Sequence, residues 1–177
     1  EVDLVTPNGF EDDFVWPQPE LDAKRAASRK QMIEIAEICL GIHYDTEPLI
    51  VGTSGRYEFK NKGLDVFVDS LLKLSESASL PRPVLAYGTV PAGNLGPRKD
   101  LQAHLKDPGS PIDPTVIRNL THYLSAPEWD PIIGRIKNSR LQDPSCPVQL
   151  IFVPSYLNGN DGIFDKHYYE LLCGMDV

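Results

Sequence analysis

One stretch constrains the fold of this chain more than any other. It runs Pro48-Leu49-Ile50-Val51-Gly52-Thr53, then Ser54-Gly55-Arg56-Tyr57-Glu58-Phe59-Lys60-Asn61-Lys62-Gly63, then Leu64 to Leu74. The first part is an apolar run of the kind a buried strand needs. The last carries apolar residues at 64, 67, 68, 71, 72 and 74, the spacing of an amphipathic helix. Strand, glycine-containing turn and helix make one βα unit. In open α/β sheets, ligands sit at the carboxyl ends of the strands. Here the turn puts Arg56, Lys60 and Lys62 in that place, where a helix dipole and free N–H groups already favour an anion. The ligand this predicts is a phosphate or diphosphate. The spacing matches neither the G-x-x-x-x-G-K-[ST] phosphate loop nor the dinucleotide G-x-G-x-x-G turn.

The rest of the chain extends the pattern. Val2 to Val5 reads as a short strand entering the Pro7-Asn8-Gly9 turn, and Leu21 to Leu40 as a helix stopped by Gly41. Residues 83–90 and 148–153 read as further strands, and Lys166 to Cys173 as a helix. Between them, residues 91–146 are rich in Pro, Gly and charge, with short helical patterns near 98–106, 113–124 and 128–138. They read as an irregular helical insertion. Strand, helix, strand, insertion, strand, helix is a βαβαβ half of a doubly wound sheet. The expected fold is therefore α/β, a Rossmann-like partial doubly wound parallel sheet. Both ends read as boundaries of a larger domain, with Glu1 in place of Met and Val177 at the start of an apolar strand. An incomplete sheet exposes an edge, which predicts a homo-oligomer joined through it.

A net charge of −8 argues against a nucleic-acid surface. No apolar run has the length of a membrane span. Cys39, Cys146 and Cys173 are far apart and odd in number, and read as reduced thiols of a cytosolic protein. No His, Cys, Asp or Glu cluster has metal-ligand spacing, and there is no Asp-x-Asp pair. Read from the residues alone, Arg56 and Lys62 are what basic residues in a βα turn usually are, the solvated cations of a helix start. Tyr156 and Tyr168 are equally well packing aromatics, and Asn8-Gly9 a simple tight turn.

The wording of the turn at 54–63 resembles the sugar-nucleotide turn of the glycogen synthases, the family that adds glucose from a nucleotide sugar to a growing glucan. Three further stretches resemble that family in the same order. They are Val5-Thr6-Pro7-Asn8-Gly9-Phe10, Thr121-His122-Tyr123-Leu124 and Pro154-Ser155-Tyr156-Leu157-Asn158-Gly159-Asn160-Asp161. The likeness is to the animal/fungal-type enzymes and their bacterial relatives. It spans essentially the whole chain, strongest at 54–63 and 150–173 and weak over 90–120.

The resemblance implies that residues 1–177 are the first part of the C-terminal nucleotide-sugar-binding domain of a GT-B glycosyltransferase. The implied reaction is a retaining, metal-independent transfer of glucose from UDP-glucose, rather than ADP-glucose, to the non-reducing end of an α-1,4-glucan. No cofactor is implied beyond the donor, and the implied location is the cytoplasm. Arg56 and Lys62 take the catalytic role of stabilising charge on the departing diphosphate, with Lys60 a weaker candidate and Glu58 their partner. Tyr156 and Tyr168 cover the uracil base. Gly55, Asn158 and Asn8 complete the donor-binding set, Asn8 at the turn where the chain crosses between domains. His122 matches a family position without a derivable role. The family's amino-terminal domain and its downstream pair of glutamates are not in this chain, so the expectation is binding without catalysis. The rival readings are a related α-glucosyltransferase such as a sucrose synthase, against which the wording of 56–62 argues, and a non-catalytic nucleotide-binding or assembly module.

Overall fold

The computed structural model describes Gly9, residues 12–77 and residues 79–177. The expected strand at Val2–Val5, and Asn8, lie outside the described residues. The chain is α/β. Three parallel strands, β1 (Leu49–Ser54), β2 (Val84–Thr89) and β5 (Val148–Val153), stand in the order β1-β2-β5. Leu49 pairs with Val84 and Ser54 with Thr89; Val84 pairs with Val148 and Thr89 with Val153. All three strands therefore end level, at one edge of the sheet.

Helices cover both faces, as all-parallel sheets require. Alternate strand residues point to opposite sides. Leu85, Tyr87, Ile151 and Val153 pack under α1 (Gln18–Leu40) and α5 (Tyr168–Leu172). Val84, Ala86, Leu150 and Phe152 pack under α2 (Leu64–Ser75) and α4 (Pro131–Lys137). Helix α1 begins three residues before the expected Leu21, because proline is tolerated in a first turn, where its missing N–H is not needed. It ends at Gly41, whose N–H donates to the Glu37 carbonyl. α2 starts after Gly63, whose φ of 67° favours glycine, and buries Leu64, Val68 and Leu71 on one stripe.

The insertion departs from its reading in one place. Its first and third helical patterns form α3 (Lys99–Lys106) and α4. Residues 113–124 are not helical. Their backbone is taken up by the sheet: the Phe152 N–H donates to the Asn119 carbonyl at 2.7 Å and the Thr121 N–H to the Phe152 carbonyl at 3.2 Å. Then β4 (His122–Leu124) pairs antiparallel with β3 (Asn94–Pro97). Long-range pairing thus overrides a local pattern already weakened by β-branched Thr115, Val116 and Ile117. At the opposite flank, the Asp176 N–H donates to the Ile50 carbonyl and the Gly52 N–H to the Val177 carbonyl, at 2.7 and 2.9 Å. Both flanks of the three-stranded sheet are therefore partly paired within the chain. The expected open edge is narrower than the sequence implied. Among the described residues no helix is long and apolar enough to cross a membrane.

Candidate functional site

The level strand ends create the site. After β1, Gly55 turns the chain with φ 131°, a backbone that side chains rarely adopt. The turn then winds on itself: the Glu58 N–H donates to the Arg56 carbonyl and the Lys62 N–H to the Glu58 carbonyl, at 2.8 and 2.9 Å. Tyr57 and Phe59 face inward. The Tyr57 ring lies 5.7 Å from that of Phe152, and its hydroxyl donates to Asp130 Oδ2 at 2.7 Å. Burial and that carboxylate push the Tyr57 phenol up. The alternating polar residues are thereby turned out. Arg56 is 80% exposed, with Glu58 3.4 Å away as its ion-pair partner.

After β5, the chain passes Ser155, Tyr156 and Leu157 into a loop that returns at α5. The loop is closed at its base. Asn158 bridges His167, and the Tyr168 N–H donates to the Leu157 carbonyl at 2.9 Å. Its far end is held by the Asp161 carboxylate, which accepts from the N–H groups of Ile163, Phe164 and Asp165. His122 reaches it from β4. Its Nε2 lies 3.0 Å from the Asp161 carbonyl and its Nδ1 2.9 Å from Thr121 Oγ1. A hydroxyl can donate to Nδ1 while Nε2–H donates to the carbonyl, so both contacts are satisfied by a neutral ring. Burial holds the His122 pKa below its ordinary value.

These segments enclose a cavity of about 760 Å³ lined by Gly55, Arg56, Tyr156, Asn158 and Tyr168, with Thr89 and Pro91 from the end of β2 between them. Five expected site residues from distant parts of the sequence thus share one cavity. Tyr156 is 76% exposed, its ring free of other aromatic contacts among the described residues. The Tyr168 hydroxyl is fixed 2.5 Å from Ser54 Oγ. Lys62 and Lys60 do not line the cavity; both are exposed on the same turn. The reading from sequence missed Thr89, Pro91, Ser155 and His167. The strand-end rule applied to β2 would have found the first two. His167 stacks on Phe14 with ring centres 4.2 Å apart, and its Nδ1 is buried without a partner among the described residues. Among the described residues no group of three or more His, Cys, Asp or Glu comes together as metal ligands.

No family model matches the chain. It is 45% identical over 96 residues to the glycogen [starch] synthase of Neurospora crassa, covering 51% of this chain and 14% of that protein. It is 24% identical over 185 residues to glycogen [starch] synthase isoform 1 of Saccharomyces cerevisiae, covering 68% of this chain and 26% of that protein. The chain thus spans from about a seventh to a quarter of the length of these curated relatives. The curated homologues of this α/β chain are glycogen synthases.

Proposed function

We propose that this chain supplies donor binding to a retaining glycosyltransferase of the glycogen synthase kind, which moves glucose from UDP-glucose to the end of an α-1,4-glucan. One observation carries the reading. Gly55, Arg56, Tyr156, Asn158 and Tyr168 line a single cavity at the carboxyl ends of three parallel strands. The base stacks on Tyr156 and against Tyr168, whose ring orientation Ser54 fixes. The Asn158 end of the loop meets the ribose. The diphosphate runs to the β1 turn, where the Arg56 fork receives it. Lys62 adds a second cation from the exposed side of that turn. Charge grows on the departing phosphate oxygen as the C1–O bond breaks, so these cations act most strongly in the transition state. The reaction runs without a metal in this reading. Three unpaired cysteines support a reducing compartment, and we place the protein in the cytoplasm.

Titration of UDP by calorimetry tests this. UDP binds the chain and raises its Tm with concentration. Tyr156→Ala loses about 1–3 kcal/mol of that binding, the range for base–aromatic stacking. Tyr123→Ala loses much less, because the Tyr123 hydroxyl accepts from the Lys99 N–H, outside the cavity. Equal affinities for wild type and Tyr156→Ala would move the base site elsewhere.

A further inference from the structure

A second cavity, of about 850 Å³, shares no residue with the one at the strand ends. It lies between the last turn of α1, segment 112–119 and the end of α4. Its walls are largely apolar, with Ile38, Ile42, Ile112, Ile117 and Ile136 among them. Two arginines also line it, and they are satisfied very differently. Arg98 is buried with every guanidinium nitrogen engaged. Nε and Nη2 donate to the two Asp100 oxygens, and Nη1 donates to the Leu120 carbonyl. Arg118 has its Nε and Nη2 buried with no hydrogen-bond partner among the described residues.

The carboxylates that line the cavity, and Asp143 near Arg118, have partners elsewhere among the described residues. Glu37 accepts from the Tyr44 N–H and pairs with His43. Asp113 accepts from the N–H and hydroxyl of Thr115, and Asp143 from those of Ser145. Near Arg118 stands a second orphan, the Tyr44 hydroxyl, also buried without a partner among the described residues. The Arg118 charge reaches it, favouring the ionised phenol against the effect of burial. Burial itself works against the charged form of Arg118. Leaving buried donors of this kind unmade costs free energy, most of all on a cation.

We propose that this cavity binds a small ligand carrying a phosphate or carboxylate on an apolar body. The Arg118 guanidinium, which lines the cavity, grips the oxyanion. Lys137, exposed at the rim, draws the anion in. The apolar walls select for the body, so a bare ion binds less well than an ion on a hydrophobic group. The cavity's size falls within the few-hundred to thousand Å³ range of small-molecule sites. The site is independent of donor binding, and its failure leaves that reading untouched.

The test is a titration of the whole chain, followed by ¹H–¹⁵N spectra, with inorganic phosphate, phenyl phosphate and benzoate as probes. Phenyl phosphate or benzoate shifts signals of residues 37–44 and 112–119, and binds tighter than inorganic phosphate. Whichever of the two organic probes binds better identifies the preferred anion. Arg118→Met weakens that binding about tenfold or more, the loss of a charge-assisted pair. Arg56→Ala leaves it unchanged, and Arg118→Met leaves the UDP shifts unchanged. Without ligand, Arg118→Met keeps or raises the Tm, because a buried donor set without partners is removed. Absence of saturable binding by all three probes overturns the proposal. So does wild-type affinity in Arg118→Met, or a Tm several degrees lower, which would reveal a structural partner for the guanidinium.

Discussion

Among the described residues Arg56 is held by one neighbour, Glu58, in an exposed ion pair of the kind that contributes little. That looseness fits a group whose stronger partner is a diphosphate. In a complete glycogen synthase containing this segment, Arg56→Ala and Lys62→Ala each lower kcat by about 10²-fold or more, the scale for one preorganised donor. Donor binding weakens less, since the cations meet most of the charge only as the bond breaks. Steady-state kinetics decide it; an unchanged kcat in both variants returns them to ordinary surface cations. Tyr57 shows why the neighbouring positions matter. Its phenol is tied to Asp130, and this anchors the turn from inside while Arg56 points out. Tyr57→Phe costs the net worth of that bond, about 1 kcal/mol. Asp130→Ala costs more, because Asp130 Oδ1 also accepts from the Ile132 and Ile133 N–H groups and caps α4, adding about 0.5–2 kcal/mol. Urea unfolding of the two variants gives the order.

Among elements, the β4 strand gives the buried His122 a role that its sequence did not reveal. It ties the insertion to the loop that follows β5, whose Asn158 lines the cavity at the strand ends. Its folded pKa is depressed, so the folded state prefers the neutral ring. The unfolded chain takes up the proton first as pH falls below about 6.5. Stability is therefore full above that pH and is lost as pH falls towards the lower folded pKa. His122→Gln keeps a hydrogen-bonding side chain without the titration, and unfolding midpoints change less between pH 7 and pH 5 than in wild type. An equal pH dependence would assign the loss to other groups. The elements themselves were unevenly legible. Strand 148–153 is bracketed by Pro147 and Pro154 and dominated by apolar residues, and the sequence reading and structure agree on its ends. Segment 113–124 was misread because its structure is set by Phe152, distant in the chain, and no local periodicity encodes that pairing.

For the whole molecule, the same contrast applies to the two cavities. The strand-end site was legible because a parallel sheet directs its ligands to one edge, and Gly55, Arg56, Tyr156, Asn158 and Tyr168 all follow strand ends or the loop between them. Lys62 follows the same rule in sequence yet stands outside the lining, since the turn winds through a full loop before α2 begins. The Arg118 cavity was invisible to sequence, because it is defined by hydrogen bonds that are not made. The register of the sheet also has a consequence in time. Each strand's neighbour is remote in the chain, and β2 meets β5 only after residues 90–147 have been looped out. Closing that loop precedes any reward from the pairing. Refolding should therefore take milliseconds to seconds, on the order expected for non-local topologies. Phe152 joins β5 both to β2 and to segment 119–121. If that seam forms at the barrier, Phe152→Leu slows refolding and leaves unfolding nearly unchanged in stopped-flow measurements. If unfolding accelerates instead, the helices dock first and the sheet closes last.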